Sequence, residues 1–411
     1  MPEVPTFHGI ALAKNGKFYN LTVEELTNSE IEAIPADRKI EGRLALASDS
    51  GEIKFVNSSG DFKKINRNED SFRNLLHNGS FVINRREFSS QTINSSHSNS
   101  GFGVDRWQTD TSVTTDLGTV SIESITDLPG QAYSMRFESS GIAANTSFFG
   151  GESIFRQGIE GEAMAHLGWG TSNAKTVTLS FWAKSNVAGI YAVGLQSKYV
   201  NSTALQYRST YEITDLDTWK RYEITIPGPT TLPDSFPTDA NMGVQVGFSM
   251  MNAYAAQTGV NVWEQYTSNS TWYFDISDEN GVKLTKQILE EPVGSYIELA
   301  GIQLEIGEEA SEFEQRSLVV ERDLTARYYQ VLEAAFRGGV VSDQRYGCQV
   351  TYPVQMRASP TLTTINSYNS SYLSQRFTTS KTTRGVYVYW KATTTASDKY
   401  SWVHYGFNAE I

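Results

Sequence analysis

Imidazole can act as base, acid or metal ligand near neutral pH, so the five histidines, His8, His77, His97, His166 and His404, come first. They are scattered, and none forms the His-Glu-x-x-His or His-x-His spacing that brings two imidazoles to one metal. Cys348 is the single cysteine, so no internal disulfide and no multi-thiolate zinc site can form; it reads as a small half-buried hydrophobe. No Gly-x-Ser-x-Gly elbow presents a nucleophile, and no Gly-x-x-x-x-Gly-Lys-Ser/Thr loop cradles a phosphate. Cleaving a glycosidic bond needs two carboxylates across a cleft, about 5 to 9.5 Å apart. Glu152, Glu160, Glu162, Asp275, Asp278 and Glu279 are candidates, but 46 acidic side chains supply such pairs by chance. No internal repeat of the extended β-helix kind runs through the chain either. The expectation is no catalytic residue and no enzyme.

Binding chemistry is better represented. A sugar offers flat apolar faces and many hydroxyls, so an exposed indole or phenol beside amides and carboxylates suits it. Tyr254, Trp263, Tyr266, Trp272 and Tyr273 fall in a stretch rich in Asn, Ser and Thr. The candidate ligand-binding set is Tyr254, Trp263, Gln265, Tyr266, Asn269 and Trp272; the competing reading makes Trp272 and Phe274 core residues of one strand. Tyr387, Tyr389 and Trp390 pose the same choice further on. No motif fixes a metal or other cofactor, although Asp275, Asp278 and Glu279 are hard oxygen donors of the kind a structural calcium takes.

The formal charge of -12, from 34 basic and 46 acidic side chains, repels phosphate backbones, and no basic patch offsets it. Nucleic acid is therefore not an expected partner. No run approaches about eighteen apolar residues, so membrane insertion by a helix is not expected. Met1-Pro2-Glu3-Val4-Pro5 has neither the basic start nor the apolar run of a signal peptide, so we expect synthesis in a cytoplasm and release by lysis if the protein works outside a cell.

These residues must be positioned by more than one folded unit, given 411 residues. In residues 1–70, Leu21–Leu26 and Ser29–Ile34 read as helical turns stopped by Pro35. Gly42–Ala47 and Glu52–Val56 read as hairpin strands around Ser48–Gly51. Such a hairpin is marginal alone, which suggests an attachment and assembly segment covered by a partner. The polar stretch 89–101 reads as a loop or link.

Within 71–316, apolar and polar residues alternate with period two over Tyr133–Glu138, Val177–Ala183, Trp219–Ile226, Gly243–Met250 and Glu298–Ile306. The absence of intervening helical patterns predicts an antiparallel β-sandwich, most simply a jelly roll. Leu318, Glu321, Leu324, Tyr328 and Val331 recur every three or four residues after Ser317, predicting a connector helix over 317–337 that Gly338-Gly339 ends. Residues 338–411 return to strands as a small C-terminal β domain, too small for a large core, so oligomerisation is expected. The fold class is thus mainly β.

An ordered series of segments carries a resemblance. It runs through Asn84-Arg85-Arg86, Gly103-Val104-Asp105-Arg106-Trp107, Tyr133–Phe137, Gln157–Glu160 and Val177–Lys184. Trp219-Lys220-Arg221-Tyr222, Ala300–Gly307, Phe313–Arg316 and Arg327-Tyr328-Tyr329 complete it. Over roughly 80–330 this resembles bacteriophage tail-fibre proteins that carry a carbohydrate-binding-module-like β-sandwich, although the cysteine common near the last segment is missing here. The resemblance implies a virion structural protein of the tail fibre. It also implies a homotrimer joined to other virion proteins through its N-terminal unit and mediating attachment to host cell-surface glycan. Its alternatives are a ligand-free connector and, less favoured, a glycan-degrading tailspike. Most motif residues read as scaffolding: Trp182 as core scaffolding, packed beneath a loop or between the sheets, Asp105 with Arg106 and Glu305 with Arg316 as pairs pinning loop ends.

Overall fold

The computed structural model describes residues 6–14, 17–34, 44–47, 52–56, 62–64, 72–95, 102–141, 152–198, 203–232, 237–252, 259–266, 276, 283–369 and 373–410. The chain divides into two compact units, Met1–Ser71 and Phe72–Ile411. Among the described residues no helix is long and apolar enough to cross a membrane.

In the first unit, β1 (Thr6–Lys14), β2 (Lys17–Leu26), β3 (Leu44–Ala47), β4 (Glu52–Val56) and β5 (Phe62–Lys64) form one sheet in sequential order. β2 and β3 run parallel and the other neighbours antiparallel. The helical turn expected over 21–26 is corrected: Thr22 and Val23 lie opposite His8 and Phe7 in β2, as their β-branched side chains favour. The second expected turn is α1 (Asn28–Glu32). Thr27 Oγ1 accepts from Glu30 N at 3.3 Å while the Glu30 carboxylate accepts from Thr27 N at 2.8 Å, a reciprocal cap on two orphan donors. The expected hairpin strands pair, Leu44 with Phe55 through Ala47 with Glu52, and their connection at 48–51 lies outside the described residues.

The second unit begins with a β-sandwich. One sheet holds β7 (Gln108–Thr111), β10 (Glu152–Glu160), β12 (Gly189–Ser197), β13 (Ala204–Ile213), β15 (Met242–Asn252) and β16 (Trp263–Tyr266), in the order β16-β13-β12-β15-β10-β7. The other holds β6 (Ser90–Ile93), β8 (Gly118–Ser124), β9 (Tyr133–Ser139), β11 (Val177–Ser185), β14 (Lys220–Ile226) and β17 (Tyr296–Ile306), in the order β14-β11-β17-β9-β8-β6. All pairs are antiparallel. Part of the polar stretch 89–101, expected as a loop, is in fact β6, held by β8.

Aromatic contacts between the sheets fix their inner faces. Phe181 of β11 meets Phe248 of β15 edge-on at 4.9 Å, and Phe137 of β9 meets Phe155 of β10 at 5.0 Å. Trp107 stacks on Phe155 at 4.8 Å and donates its Nε1–H to Asn78 O at 2.9 Å, so its one polar group is satisfied inside the core. Trp182 is corrected from core to surface: it alternates with buried Phe181 and Ala183, so its half-buried ring lies on the outer face.

The connector helix is also corrected. α2 covers only Leu318–Ala326, capped where Ser317 Oγ accepts from Val320 N at 3.4 Å. Its continuation is β18 (Tyr329–Val340), which pairs with β23 (Ala396–Asn408) from Tyr329 opposite Asn408 to Val340 opposite Ala396. The three-to-four spacing that suggests helix holds through α2 and then meets Tyr329-Gln330-Val331, which satisfy their backbone groups on a distant strand. The expected helix end, Gly338-Gly339, sits inside β18.

β18, β23 and β20 (Thr361–Asn369) form one terminal sheet; β19 (Arg345–Thr351), β22 (Gly385–Ala392) and β21 (Leu373–Thr379) form another. Val386, Val388, Trp390, Val403 and Phe407 fill a core separate from that of the larger sandwich. The motif arginines tie the two together. Arg86 lies 3.7 Å over the Tyr329 ring and Arg106 3.4 Å over Tyr328, and both meet the buried carboxylate of Glu410. The Asp105–Arg106 pair is corrected accordingly, since Asp105 accepts from Arg85 N at 2.6 Å and from its guanidinium at 3.1 Å. The Glu305–Arg316 pair is corrected too: Glu305 accepts from Ser311 N at 2.8 Å, whereas Arg316 pairs with Glu314 at 3.0 Å.

Candidate functional site

The sequence-derived ligand set divides. Trp263, Gln265 and Tyr266 share the edge strand β16, whereas Tyr254, Asn269 and Trp272 lie outside the described residues, as do Asp275, Asp278 and Glu279. Trp263 stands opposite Tyr207 and turns inward. Its ring meets Tyr207 and Trp169, each at 5.4 Å, and its Nε1–H donates to Pro227 O at 2.6 Å. These contacts give Trp263 a packing role. Gln265 is exposed. Among the described residues, no cluster of His, Cys, Asp and Glu is arranged to hold a metal.

The outer face of the β16-to-β7 sheet is polar. Gly194 and Gly247 pair at its centre, with Arg156 opposite Gly247 on one side and Arg208 opposite Gly194 on the other. Arg156 bonds Asp110 at 2.9 Å and also Gln245; Arg208 bonds Gln206 at 2.9 Å and pairs with Glu264; Gln206 donates to Gln196 at 2.7 Å. Arg208, Gln206 and Gln245 are at most 1% exposed. The innermost of these groups, Arg208, Gln206, Gln196 and Gln245, bond to neighbours away from water, as buried polar groups must. The face is a polar second layer of the scaffold.

The acid candidates resolve similarly. Arg327 donates to both oxygens of Glu160, at 2.8 and 2.6 Å, and to Glu162 at 2.7 Å. Burial works to raise the Glu160 pKa, but donation from Arg327 and Tyr328 outweighs it and holds the carboxyl below its ordinary value. Its hydrogen bond with Glu160, aided by burial, pushes Glu162 up. Arg327 favours the ionised form of both carboxyls, and it is the neighbouring Glu160 that lifts Glu162; Glu160 is closed to a substrate with 3% of its side chain exposed.

An open aromatic surface lies on the terminal unit. In β23, Ser401, Val403 and Tyr405 are buried, so the alternate Tyr400, Trp402 and His404 share the outer face. They form a strip about 13 Å long at roughly 3.3 Å per residue. On one side Arg337, Ala335 and Glu333 of β18 stand opposite them; on the other, Tyr368 and Asn366 of β20 stand opposite Trp402 and His404. Tyr368 is 51% and Tyr400 41% exposed, their rings 6.2 Å apart at 32°. Trp402 and His404 lie 5.0 Å apart. His404 Nε2 meets Glu333 at 2.8 Å and Arg337 meets Asp398 at 3.0 Å, so hydrogen-bonding groups border the rings.

Ala335, directly opposite Trp402 on β18, presents only a methyl group to it. The opposite terminal sheet also turns tyrosines outward: Tyr387 is 38% exposed and Tyr389 half-buried beneath Arg345, while Trp390 is core. Sequence reasoning found the β23 strand without its strip, because Tyr400, Trp402 and His404 on one face alternate with Val403 and Tyr405 on the other.

No protein-family model matches the chain, and no curated protein does. Solved structures do. The enzymatically active domain of bacteriophage CBA120 tailspike protein 4 aligns over 57% of this chain at 12% identity and a TM-score of 0.30; the chain spans 22% of that protein. TmCBM61 in complex with beta-1,4-galactotriose aligns over 57% of this chain and 99% of its own, at 12% identity and 0.27. A CBM4 structure aligns over 56% and 98%, at 15% and 0.28. Likenesses at these scores carry no argument for ligand or activity.

Proposed function

We propose that this chain is a non-catalytic glycan-binding protein, a structural subunit of a bacteriophage tail fibre that attaches the virion to host cell-surface polysaccharide. The strip Tyr400–Trp402–His404, with Tyr368 beside it, carries the glycan reading. The exposed rings of Tyr400 and Tyr368 and the open part of the half-buried Trp402 receive the C–H faces of pyranoses, and Glu333, Asn366, Arg337 and Asp398 at the border meet hydroxyls. The tail-fibre context rests on the ordered sequence motifs, and a homotrimer with the N-terminal unit facing other virion proteins is part of that reading.

The test is binding of the assembled full chain to an array of bacterial capsular and O-antigen polysaccharides. Saturable binding to at least one polysaccharide, lost in Trp402→Ala and Tyr368→Ala, is the expected result. No binding by a soundly assembled protein overturns the reading. A Trp402→Ala variant that instead sediments as a smaller species assigns the strip to subunit contact and makes the protein a connector.

A further inference from the structure

We propose a second sugar subsite on the outer face of the larger sandwich, built from Trp182 and Gln131 over Gly301. It rests on the glycan-binding reading and adds a site far in sequence from the terminal strip. β11 and β17 pair regularly from Val177 to Ser180, then slip by one residue before Trp182 meets Ala300. Gly301 occupies the resulting bulge at φ +55°. A Cβ there would stand 3.1 Å from the Gln131 amide and 3.2 Å from the Trp182 ring, so glycine is what lets both side chains gather at one point.

Gln131 ends the turn between β8 and β9, where its N–H donates to Leu128 O at 3.2 Å. The residue is 8% exposed, and its Oε1 is buried with no hydrogen-bond partner. A buried acceptor left unpaired is costly, and native folds seldom keep one without a use. Beside it the Trp182 ring is half-buried, with one part open to solvent.

The surrounding charges define the ligand. Lys184 pairs with Asp127 at 3.0 Å and Glu298 at 3.6 Å. Arg221, opposite Trp182 in the sheet, pairs with Glu223 at 3.3 Å. With cations and carboxylates already matched, the site offers no charge to an ionic ligand. It offers the open part of an aromatic ring and, once the Gln131 amide rotates to bring Oε1 to the surface, one hydrogen-bond acceptor, which a neutral pyranose fills with a C–H face and a hydroxyl donor.

The experiment is fluorine NMR on the assembled full chain labelled with 5-fluorotryptophan, with resonances assigned through Trp182→Phe and Trp402→Phe. The titrants are the β-1,4-linked trisaccharides of galactose, glucose and N-acetylglucosamine. At least one is expected to shift the Trp182 resonance saturably, and Gln131→Leu is expected to weaken that response about ten-fold without lowering Tm. A sugar that moves Trp402 and never Trp182 overturns this subsite and leaves the terminal site standing. Sugars that move neither overturn this subsite, and the terminal site then stands or falls on the polysaccharide array. A Gln131→Leu protein with unchanged affinity and raised Tm makes Gln131 a packing defect and also overturns the subsite.

Discussion

The guanidinium of Arg327 grips both oxygens of Glu160, 167 residues earlier in the chain, at 2.8 and 2.6 Å. Arg327 opens the Arg-Tyr-Tyr segment that leads from α2 into β18, and Glu160 ends β10, so this pair joins the terminal unit to the larger sandwich. Breaking it strands a carboxylate that is 3% exposed. Arg327→Ala is expected to cost about 2–4 kcal/mol near neutral pH, measured by urea denaturation. The Glu160 pKa is depressed in the fold, so the stability it contributes is present above its ordinary value of 4.5 and is lost as pH falls through the folded value. The difference between variant and parent is expected to shrink in that acid range; a constant difference would sink the ion-pair explanation.

His77 gives a second pH signature nearer neutrality. Its ring is half-buried and tilted against Tyr328 at 5.8 Å, with Nδ1 buried and unpartnered. Burial, then the cations Arg106, Arg316 and Arg327, hold its pKa well below 6.5. The unfolded chain therefore takes up the proton first, so stability is whole above about pH 6.5 and declines as pH falls below it. His77→Phe keeps the backbone bonds that Gln157 makes to residue 77, at 2.8 Å each way. Melting scans are expected to show Tm of the parent falling between about pH 7 and 5 and a flatter profile for the variant; parallel profiles would refute the assignment.

Strands whose own residues alternate with period two were the legible part of this fold. Val177–Ala183 and Gly243–Met250 alternate so regularly that only a half-buried strand explains them. β18 was not legible, because the three-to-four spacing of Leu318, Glu321, Leu324, Tyr328 and Val331 fits a helix that would run on into it. The candidate strip failed for a different reason. Tyr400, Trp402 and His404 alternate with Val403, Tyr405 and Phe407, so apolar character alone does not say which set faces out, and only the terminal core decides. The Arg-Tyr-Tyr motif was visible as letters, but its role depends on Arg86, Arg106, Glu160 and Glu410 arriving from elsewhere.

Gly301 separates backbone strain from crowding. Gly301→Ala places a Cβ at φ +55° and against Gln131 and Trp182. Gly130→Ala meets only the first difficulty, since nothing lies within 4 Å of its added Cβ at φ +83°. Backbone strain of this kind costs about 1–3 kcal/mol. Chemical denaturation is expected to place Gly301→Ala below Gly130→Ala in stability, with the gap measuring the crowding term. Equal stabilities would mean that Gln131 and Trp182 yield freely.

Trp263 and Trp402 are expected to fail in opposite ways. Trp263 is held by Trp169, Tyr207 and a hydrogen bond to Pro227, so truncation leaves a partial cavity and an unpaired carbonyl. Large-to-small changes in a full core cost about 3–5 kcal/mol for Trp, and a half-buried ring should lose about 2–3. Trp402 is half-buried on an outer sheet face, where it packs on His404 and keeps part of its ring open, so its truncation costs less than that of Trp263, about 1 kcal/mol. Trp263→Ala should therefore lower Tm while the folded fraction retains its polysaccharide affinity, and Trp402→Ala should lower Tm less and lose affinity. Parallel melting curves and polysaccharide titrations on both variants decide it: a Trp263→Ala protein that stays stable but no longer binds would move the glycan site from the terminal sheet to the β16 edge.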